Sequence, residues 1–186
     1  GIPLSFMFVL WFVSAFFMIY TGGMPRITPD MQIDGAEPID FSRITQTPQQ
    51  AMEVAGFAPP QASLRTILQR PVYEFNEPGY GSTFIYADTG SPMAQLDEAQ
   101  SAQLASSFLD IPVERLSFAG SLSEVDQWTL TSSGDLPLYK FTADDGLGTE
   151  VYVSPANATV SVYTTSKSRL LAWFGTIPHW LYFTSL

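Results

Sequence analysis

The chain has 186 residues, enough for one or two small domains, and carries a formal charge of −10. It contains no cysteine, which excludes a disulfide framework, a thiolate nucleophile, iron–sulfur ligation and a cysteine zinc site. The acidic balance argues against a nucleic-acid partner, because phosphates need a basic surface. Every charge lies between Arg26 and Arg169, and the two ends are apolar. This distribution is typical of a solvated domain held between membrane segments.

Residues 1–23 are predicted to form a transmembrane helix. Ile2 to Tyr20 carries no charge, and its 19 residues would span about 28 Å, close to the hydrocarbon thickness of a bilayer. A signal peptide, which would have a basic start and a shorter apolar core, is the rival interpretation. A buried helix of a soluble protein is a third. Because the chain begins at Gly1 with no basic residue before the helix, we expect a segment upstream.

Residues 24–46 have no clear hydrophobic period and are interpreted as a linker leaving the membrane. A first repeat is predicted over 47–94. It opens with a helix that Thr47 caps, with Pro48 in the first turn and Gln50 completing a capping box, and that ends near Gly56. β-Branched and aromatic residues then predict three strands, at 64–68, 71–75 and 83–88, with a turn at 76–81.

A second repeat is predicted over 95–165. Its helix starts at Asp97 and runs to about Leu109, with an apolar face that includes four side chains: Leu96, Ala99, Leu104 and Phe108. Strands are predicted at 113–118, 127–131, 136–142, 150–153 and 159–163. Turns are predicted at 133–135, 144–146 and 155–157.

The two halves share an internal similarity at an offset of 66 residues. The sequence Pro-Val-Tyr-Glu-Phe at 71–75 matches Pro-Leu-Tyr-Lys-Phe at 137–141, and Tyr86 matches Tyr152 at the same offset. Two motifs in register indicate a duplication. Physically, this predicts an α+β fold in which each half packs one helix on an antiparallel sheet.

Residues 166–186 are predicted to form an interfacial segment followed by the start of a second transmembrane helix. The run from Leu170 to Leu186 is free of charge and contains Trp173 and Trp180, a residue type that is enriched at membrane interfaces. Pro178 would break a helix that runs through it and fits the first turn of a new helix, so a bend is predicted at 176–178. An aromatic segment that closes the core of the domain is the alternative.

Motifs in both halves and at both ends resemble those of the PepSY domain and of PepSY-associated transmembrane proteins. The residues that carry the resemblance are Tyr86-Ala87-Asp88-Thr89-Gly90, Val151-Tyr152-Val153-Ser154-Pro155, Trp11 with Ser14, Tyr20-Thr21-Gly22-Gly23-Met24-Pro25, and Pro178-His179-Trp180-Leu181-Tyr182-Phe183. The resemblance covers nearly the whole chain. It implies two PepSY-like repeats in the periplasm of a bacterium, attached to several helices in the inner membrane.

His179 and Arg169 are the candidate binding residues. A neutral imidazole beside a membrane helix suits an axial haem ligand, and the resemblance strengthens this hypothesis, since some members are similar to haem-carrying reductases. An interfacial histidine bonded to a carbonyl is the alternative. Arg169 could contact a haem propionate or a lipid phosphate, or it could be a solvated arginine. A single histidine without cysteine argues strongly against a zinc site, and its apolar surroundings argue against a catalytic triad.

Three functions follow from this sequence as hypotheses. The first is a membrane-anchored periplasmic module that acts as an accessory part of an inner-membrane assembly, with the bilayer and a protein as partners. The second is a component of a haem-containing oxidoreductase of the ferric-siderophore reductase type. The third, which the resemblance alone implies, is a protease-inhibitory or regulatory module. The visible residues show no catalytic constellation, so whether the chain is an enzyme stays open.

Overall fold

The computed structural model describes residues 1–57, 61–77, 81–181 and 183, and has an α+β fold with an apolar N-terminal helix and two antiparallel sheets. The first helix, α1 (Ile2–Thr21), has Pro3 in its first turn and ends where Gly22 turns left-handed at φ 75°. Glycine adopts this conformation without a steric penalty, which explains why the helix stops there. Within the described residues, α1 is the one helix long and apolar enough to cross a membrane, and a signal sequence would have the same character.

Residues 24–46 contain more regular structure than the predicted linker. A short helix, α2 (Pro29–Asp34), begins where the Thr28 side chain accepts a hydrogen bond from Met31 N–H. A 3₁₀ turn at 41–43 begins where Asp40 accepts from Ser42 N–H. The helix and the 3₁₀ turn are too short to produce a hydrophobic period, and each is started by a single capping side chain. The hydrophobic pattern of the sequence therefore did not predict them.

The first sheet consists of β1 (Gln61–Ile67), β2 (Arg70–Glu77) and β3 (Gly81–Tyr86), hydrogen-bonded in that order. Helix α3 (Pro48–Ala55) precedes it, with the predicted Thr47–Gln50 capping box and a left-handed Gly56 at its end. The helix packs on one sheet face through the buried cluster Ala51, Tyr73, Phe75, Ile85 and Ala87. The predicted helix and three strands are confirmed, whereas residues 78–80 of the predicted turn lie outside the described residues.

The second sheet consists of β4 (Leu116–Leu122), β5 (Leu138–Ala143), β6 (Glu150–Ser154) and β7 (Thr159–Thr164), in that order. Helix α4 (Glu98–Leu109) packs on it, with the predicted Asp97–Gln100 capping box. The buried cluster beneath α4 is Ala105, Phe141, Val151 and Val153. Ala99, predicted on the apolar face, is exposed, and Ser101 and Ala105 are buried instead.

Two predicted strands of the second half are wrong in whole or in part. Residues 113–115 form a 3₁₀ turn, so the strand predicted from 113 begins at Leu116. Residues 127–131 form no strand, because the Asp126 carboxylate accepts hydrogen bonds from Trp128 N–H and Thr129 N–H and folds the segment into a turn. An aspartate that bonds to its own backbone competes with a sheet for the same N–H groups. The turn predicted at 133–135 is a 3₁₀ turn.

Residues related by the 66-residue offset lie on corresponding sheet faces. Tyr73, Phe75 and Ile85 face α3, and their equivalents Tyr139, Phe141 and Val151 belong to the cluster beneath α4. The strand registers differ by two residues, since Val72 pairs with Tyr86 while Lys140, not Leu138, pairs with Tyr152. A shift of two leaves every side chain on its face. A common origin of the halves stays a prediction.

The chain returns to α1 after β7. Helix α5 (Ser166–Phe174), capped by Thr165, is followed by the short helix α6 (Thr176–Trp180), and the chain bends at Gly175 between them. The bend was predicted at 176–178 and lies one residue earlier, whereas Pro178 occupies the first turn of α6 as expected. The described helix ends at Trp180, and most of 182–186 lies outside the described residues, so a second transmembrane helix stays a prediction.

Candidate functional site at the apolar helix

Ser14 is the one side chain of α1 that is buried in the described structure, with 1% of its surface exposed. Helix α6 covers it by placing His179 against it. The distance from His179 Nδ1 to Ser14 Oγ is 3.2 Å, and Nδ1 also lies 3.3 Å from the Trp11 carbonyl oxygen. The imidazole ring stacks on the Trp11 indole, with centroids 4.9 Å apart and an interplanar angle of 17°.

The hydrogen-bond pattern fixes which nitrogen of His179 carries the proton. Ser14 Oγ donates to the Trp11 carbonyl at 2.9 Å, so its lone pairs are free to accept. A carbonyl accepts only, and the contact between Trp11 O and Nδ1 therefore requires a proton on Nδ1. Nδ1–H donates to Ser14 Oγ and Trp11 O together, and in a neutral ring this would leave the Nε2 lone pair for another partner.

Gly175 allows the pair of helices α5 and α6 to approach α1 closely. A Cβ added to Gly175 would lie 3.4 Å from Met18 N and 3.5 Å from Phe17 Cβ, with Leu171 O at 3.3 Å. Beside it, the rings of Phe17 and Phe174 lie with centroids 6.0 Å apart. Small residues at such positions let two helix backbones pack tightly.

His179 lies well inside the length of α1 rather than at its end. Ser14, its partner, lies seven residues before the last residue of the helix, which corresponds to about 10 Å along the axis. The remaining surface of α1 is exposed and lined by large apolar side chains, among them Phe6, Phe8, Phe12, Phe16 and Ile19. An ionisable group at this depth along an apolar helix marks a candidate functional site.

Arg169 belongs to a different cluster. Its guanidinium donates to the Thr164 hydroxyl at 2.6 Å and to the Gly148 carbonyl at 2.9 Å, and lies 3.5 Å from a Glu150 carboxylate oxygen. No contact between described residues joins Arg169 to His179. A propionate or a lipid phosphate would have to share the guanidinium with these three partners, and such a contact stays a prediction.

Glu150 connects Arg169 to a buried tyrosine. Lys140 Nζ lies 2.9 Å from the same Glu150 oxygen, and the fully buried Tyr152 hydroxyl lies 3.1 Å from Glu150 Oε2 and 3.1 Å from Asp126 Oδ2. Burial, followed by the two neighbouring carboxylates, raises the pKa of Tyr152 far above its usual value. The phenol therefore stays neutral and shares its proton between two carboxylates.

The sequence reasoning found His179 and Arg169 but missed what holds them. Trp11 and Ser14 entered only as part of a family resemblance, although Ser14 is a polar residue in the middle of an apolar helix, and that is a signal for a helix contact. Lys140, Glu150 and Asp126 gave no signal, because their meeting depends on strand register and on the turn at Asp126.

Among the described residues, His179 is the one histidine that could ligate a haem iron. No group of three or more histidine, aspartate or glutamate side chains within them could hold a metal ion. His179 fits an axial ligand in one respect, since its Nδ1–H is held by a carbonyl and a hydroxyl, the arrangement that orients ligating histidines.

Comparison with known proteins gives no match, whether with family models, curated proteins or solved structures.

Proposed function

We propose that this chain is a membrane-anchored PepSY-like module of the bacterial periplasm, serving as an accessory part of an inner-membrane assembly. One observation carries the proposal: an acidic two-sheet domain is joined to an exposed apolar helix, and the polar contact between His179 and Ser14 lies inside the apolar surface. A leader peptide that is removed would have no need of a specific contact with the mature domain.

The charge distribution supports this arrangement. α1 carries no charge, whereas the region between Arg26 and Arg169 carries all of the net −10. A helix with large apolar side chains exposed around it is stable in lipid and aggregates in water. The two similar halves agree with the PepSY-like pair that the sequence resemblance implies.

The anchoring is tested by flotation of the full chain with phosphatidylcholine vesicles after extraction at high pH. We expect the chain to float with the vesicles and a variant with Phe8→Lys and Phe12→Lys to float much less, because each lysine costs about 2.5–3.5 kcal/mol near the bilayer centre. A matched variant, Phe41→Lys with Phe118→Lys, changes exposed phenylalanines outside α1 and should float like the parent chain. A parent chain that stays with the soluble fraction would contradict the proposal.

A haem-containing oxidoreductase is the second candidate, and the free lone pair on His179 Nε2 favours it. Bound haem would supply one-electron transfer to a ferric substrate. Residues of this chain would hold the His179 imidazole in place for the haem iron. The Trp11 indole stacks on the imidazole, and Ser14 with the Trp11 carbonyl fixes its tautomer.

An absorption spectrum of the full-length protein, purified in mild detergent after expression with ample haem, tests this second candidate. We expect a Soret band that is lost in His179→Ala and kept in Trp173→Phe, a nearby aromatic change. A Ser14→Ala variant should keep haem with an altered reduction potential, since it removes one Nδ1 partner. A parent protein without haem absorbance would refute the candidate.

A further inference from the structure

A cavity of about 390 Å³ opens where α1 ends and the acidic domain begins. Its walls come from three parts of the chain: the segment after α1, one residue of α2, and the end of β7 with the first turns of α5. The lining residues that matter here are Gly22, Met24, Arg26, Met31, Lys167 and Leu171. This cavity contains neither His179 nor Arg169, so it is separate from the site described above.

Arg26 and Lys167 line this cavity, and neither has a hydrogen-bond or ion-pair partner in the part of the chain that the structure describes. All eight basic side chains lie within the described residues, and six of them are held by hydrogen bonds or ion pairs: Arg43, Arg65, Arg70, Arg115, Lys140 and Arg169. Among the described residues, no hydrogen bond or ion pair joins Arg26 or Lys167 to another side chain. In a chain with 18 acidic residues, two cations that line one cavity without a carboxylate among its described lining residues are available for an anion from outside.

The rest of the lining has a mixed character. Met24, Met31 and Leu171 are half-buried and supply an apolar wall. The Thr165 hydroxyl has no acceptor among the described residues, whereas the Ser168 hydroxyl already donates to the Thr165 carbonyl. The first turn of α5 adds the partial positive charge of a helix start. A cavity with cations, a hydroxyl donor and an apolar wall suits a molecule with a phosphate, a polar linker and hydrocarbon.

The position of the cavity indicates which class of anion binds there. Gly22 and Gly23, the residues directly after α1, line the cavity, so in a bilayer spanned by α1 it lies at the level of the lipid headgroups. We propose that Arg26 and Lys167 bind the phosphate of an anionic phospholipid such as phosphatidylglycerol. This inference rests on the membrane anchoring proposed above and adds a lipid specificity to it.

The test is a titration of the full chain in neutral detergent micelles, read as the bound fraction in native mass spectra. The probes are dihexanoyl phosphatidylglycerol, dihexanoyl phosphatidylcholine and inorganic phosphate. We expect saturable binding of phosphatidylglycerol that is about 30-fold weaker in the double variant Arg26→Gln/Lys167→Gln, since each basic residue contributes about a five- to sixfold step. The matched variant Arg43→Gln/Arg115→Gln makes the same charge change at exposed positions outside the cavity and should shift the midpoint less than about twofold.

Three results would overturn the inference. Equal binding of phosphatidylglycerol by the parent and the Arg26/Lys167 variant would show that these residues hold no phosphate. Equal binding of phosphatidylcholine and phosphatidylglycerol would remove the anionic specificity. Binding of inorganic phosphate as tight as that of phosphatidylglycerol would identify a site for a soluble anion instead of a lipid.

Flotation with neutral vesicles separates this inference from the proposal on which it rests. If the parent and both double variants float with phosphatidylcholine vesicles, the anchoring holds, and the titration alone decides the lipid site. If the parent fails to float, the anchoring has failed, whatever the titration shows.

Discussion

Tyr152 lies at the centre of an ion-pair cluster in the second half of the chain. Its hydroxyl contacts the carboxylates of Asp126 and Glu150, and Glu150 in turn pairs with Lys140 and Arg169. The Tyr152 ring is fully buried between Leu138 and Val162, and its hydroxyl is the donor that Asp126 and Glu150 share. A buried acceptor that loses its donor keeps the cost of desolvation without the bond that offsets it. The hydroxyl therefore matters more than the ring for keeping two negative charges in this place.

We expect Tyr152→Phe to lower the free energy of unfolding by about 1–3 kcal/mol, because it removes one donor from two partly buried carboxylates. Urea unfolding of the full chain in detergent, followed by near-ultraviolet circular dichroism, measures the change. Tyr139→Phe is the control: Tyr139 is half-buried on the neighbouring strand, and no hydrogen bond joins its hydroxyl to another described residue. Equal losses in the two variants would show that the hydrogen bonds of the Tyr152 hydroxyl to Asp126 and Glu150 add no stability.

Asp88 gives the first half a pH dependence. Arg70 forms two hydrogen bonds with its carboxylate, at 2.9 and 2.7 Å, and stacks on Tyr86. The hydrogen bond from Arg70 lowers the pKa of Asp88 below its usual 3.8. A carboxyl whose pKa is lower in the folded state stabilises it above the unfolded pKa, and the stabilisation is lost as the pH falls through the folded pKa.

We therefore expect Asp88→Asn to be less stable than the parent chain by about 1.5–3 kcal/mol at pH 7, and the difference to shrink at pH 3 and below. Urea unfolding across this pH range measures it. Asp34→Asn is the control, an exposed aspartate without an ion pair among the described residues. A difference that stays constant with pH would refute the role of the Asp88 charge.

The helices show which elements a sequence can specify. α3 and α4 were predicted to within a residue at their starts, because Thr47 and Asp97 each begin a capping box that is local in sequence. The strand predictions for 113–115 and 127–131 were wrong. A 3₁₀ turn forms at the first segment, and a turn held by the Asp126 carboxylate forms at the second. The bend was predicted one residue too late, and the contact of Gly175 with Met18 could not be predicted, since the two residues lie 157 positions apart.

Helix α6 depends on the close approach at Gly175. We expect Gly175→Val to move α5 and α6 away from α1, because a side chain there meets Met18 and Phe17. Since the chain has no cysteine, a Phe17→Cys/Phe174→Cys pair can be joined by a short bifunctional maleimide without side reactions. The reaction should be at least about fivefold slower in the Gly175→Val background, as expected for a displaced helix pair.

Gly134→Ala is the control for this experiment, because a Cβ at Gly134 has no neighbour within 4 Å. It should leave the cross-linking rate unchanged. An unchanged rate in Gly175→Val as well would show that the helices tolerate a side chain at their contact.

The protein consists of an apolar part and an acidic part, and its four tryptophans are distributed between the two. Trp11, Trp173 and Trp180 lie on α1, α5 and α6, whereas Trp128 packs against Leu138 and Tyr152 in the second half. The candidate site lies in the apolar part and the ion-pair clusters in the acidic one. The sequence predicted this division from charge alone, but the way α5 and α6 connect the parts depends on the fold.

We expect brominated lipid chains to quench the fluorescence of a Trp128→Phe variant strongly, because its remaining tryptophans lie on the proposed membrane part. A variant that keeps only Trp128 should show little quenching by the same vesicles. Equal quenching of the two would mean that the acidic half also enters the bilayer. Steady-state emission in vesicles of brominated and ordinary phosphatidylcholine gives the comparison.

The bond between His179 and the Trp11 carbonyl has a mechanical consequence. In the bilayer proposed above, separating α6 from α1 would leave a polar N–H without a partner in an apolar environment, at a cost of several kcal/mol. Helices α1 and α6 should therefore rotate and translate together as one rigid unit. A displacement of α1 along or around its axis would be transmitted through α5 to β7 and the second sheet. A force on the acidic domain would be transmitted to α1 through the same elements.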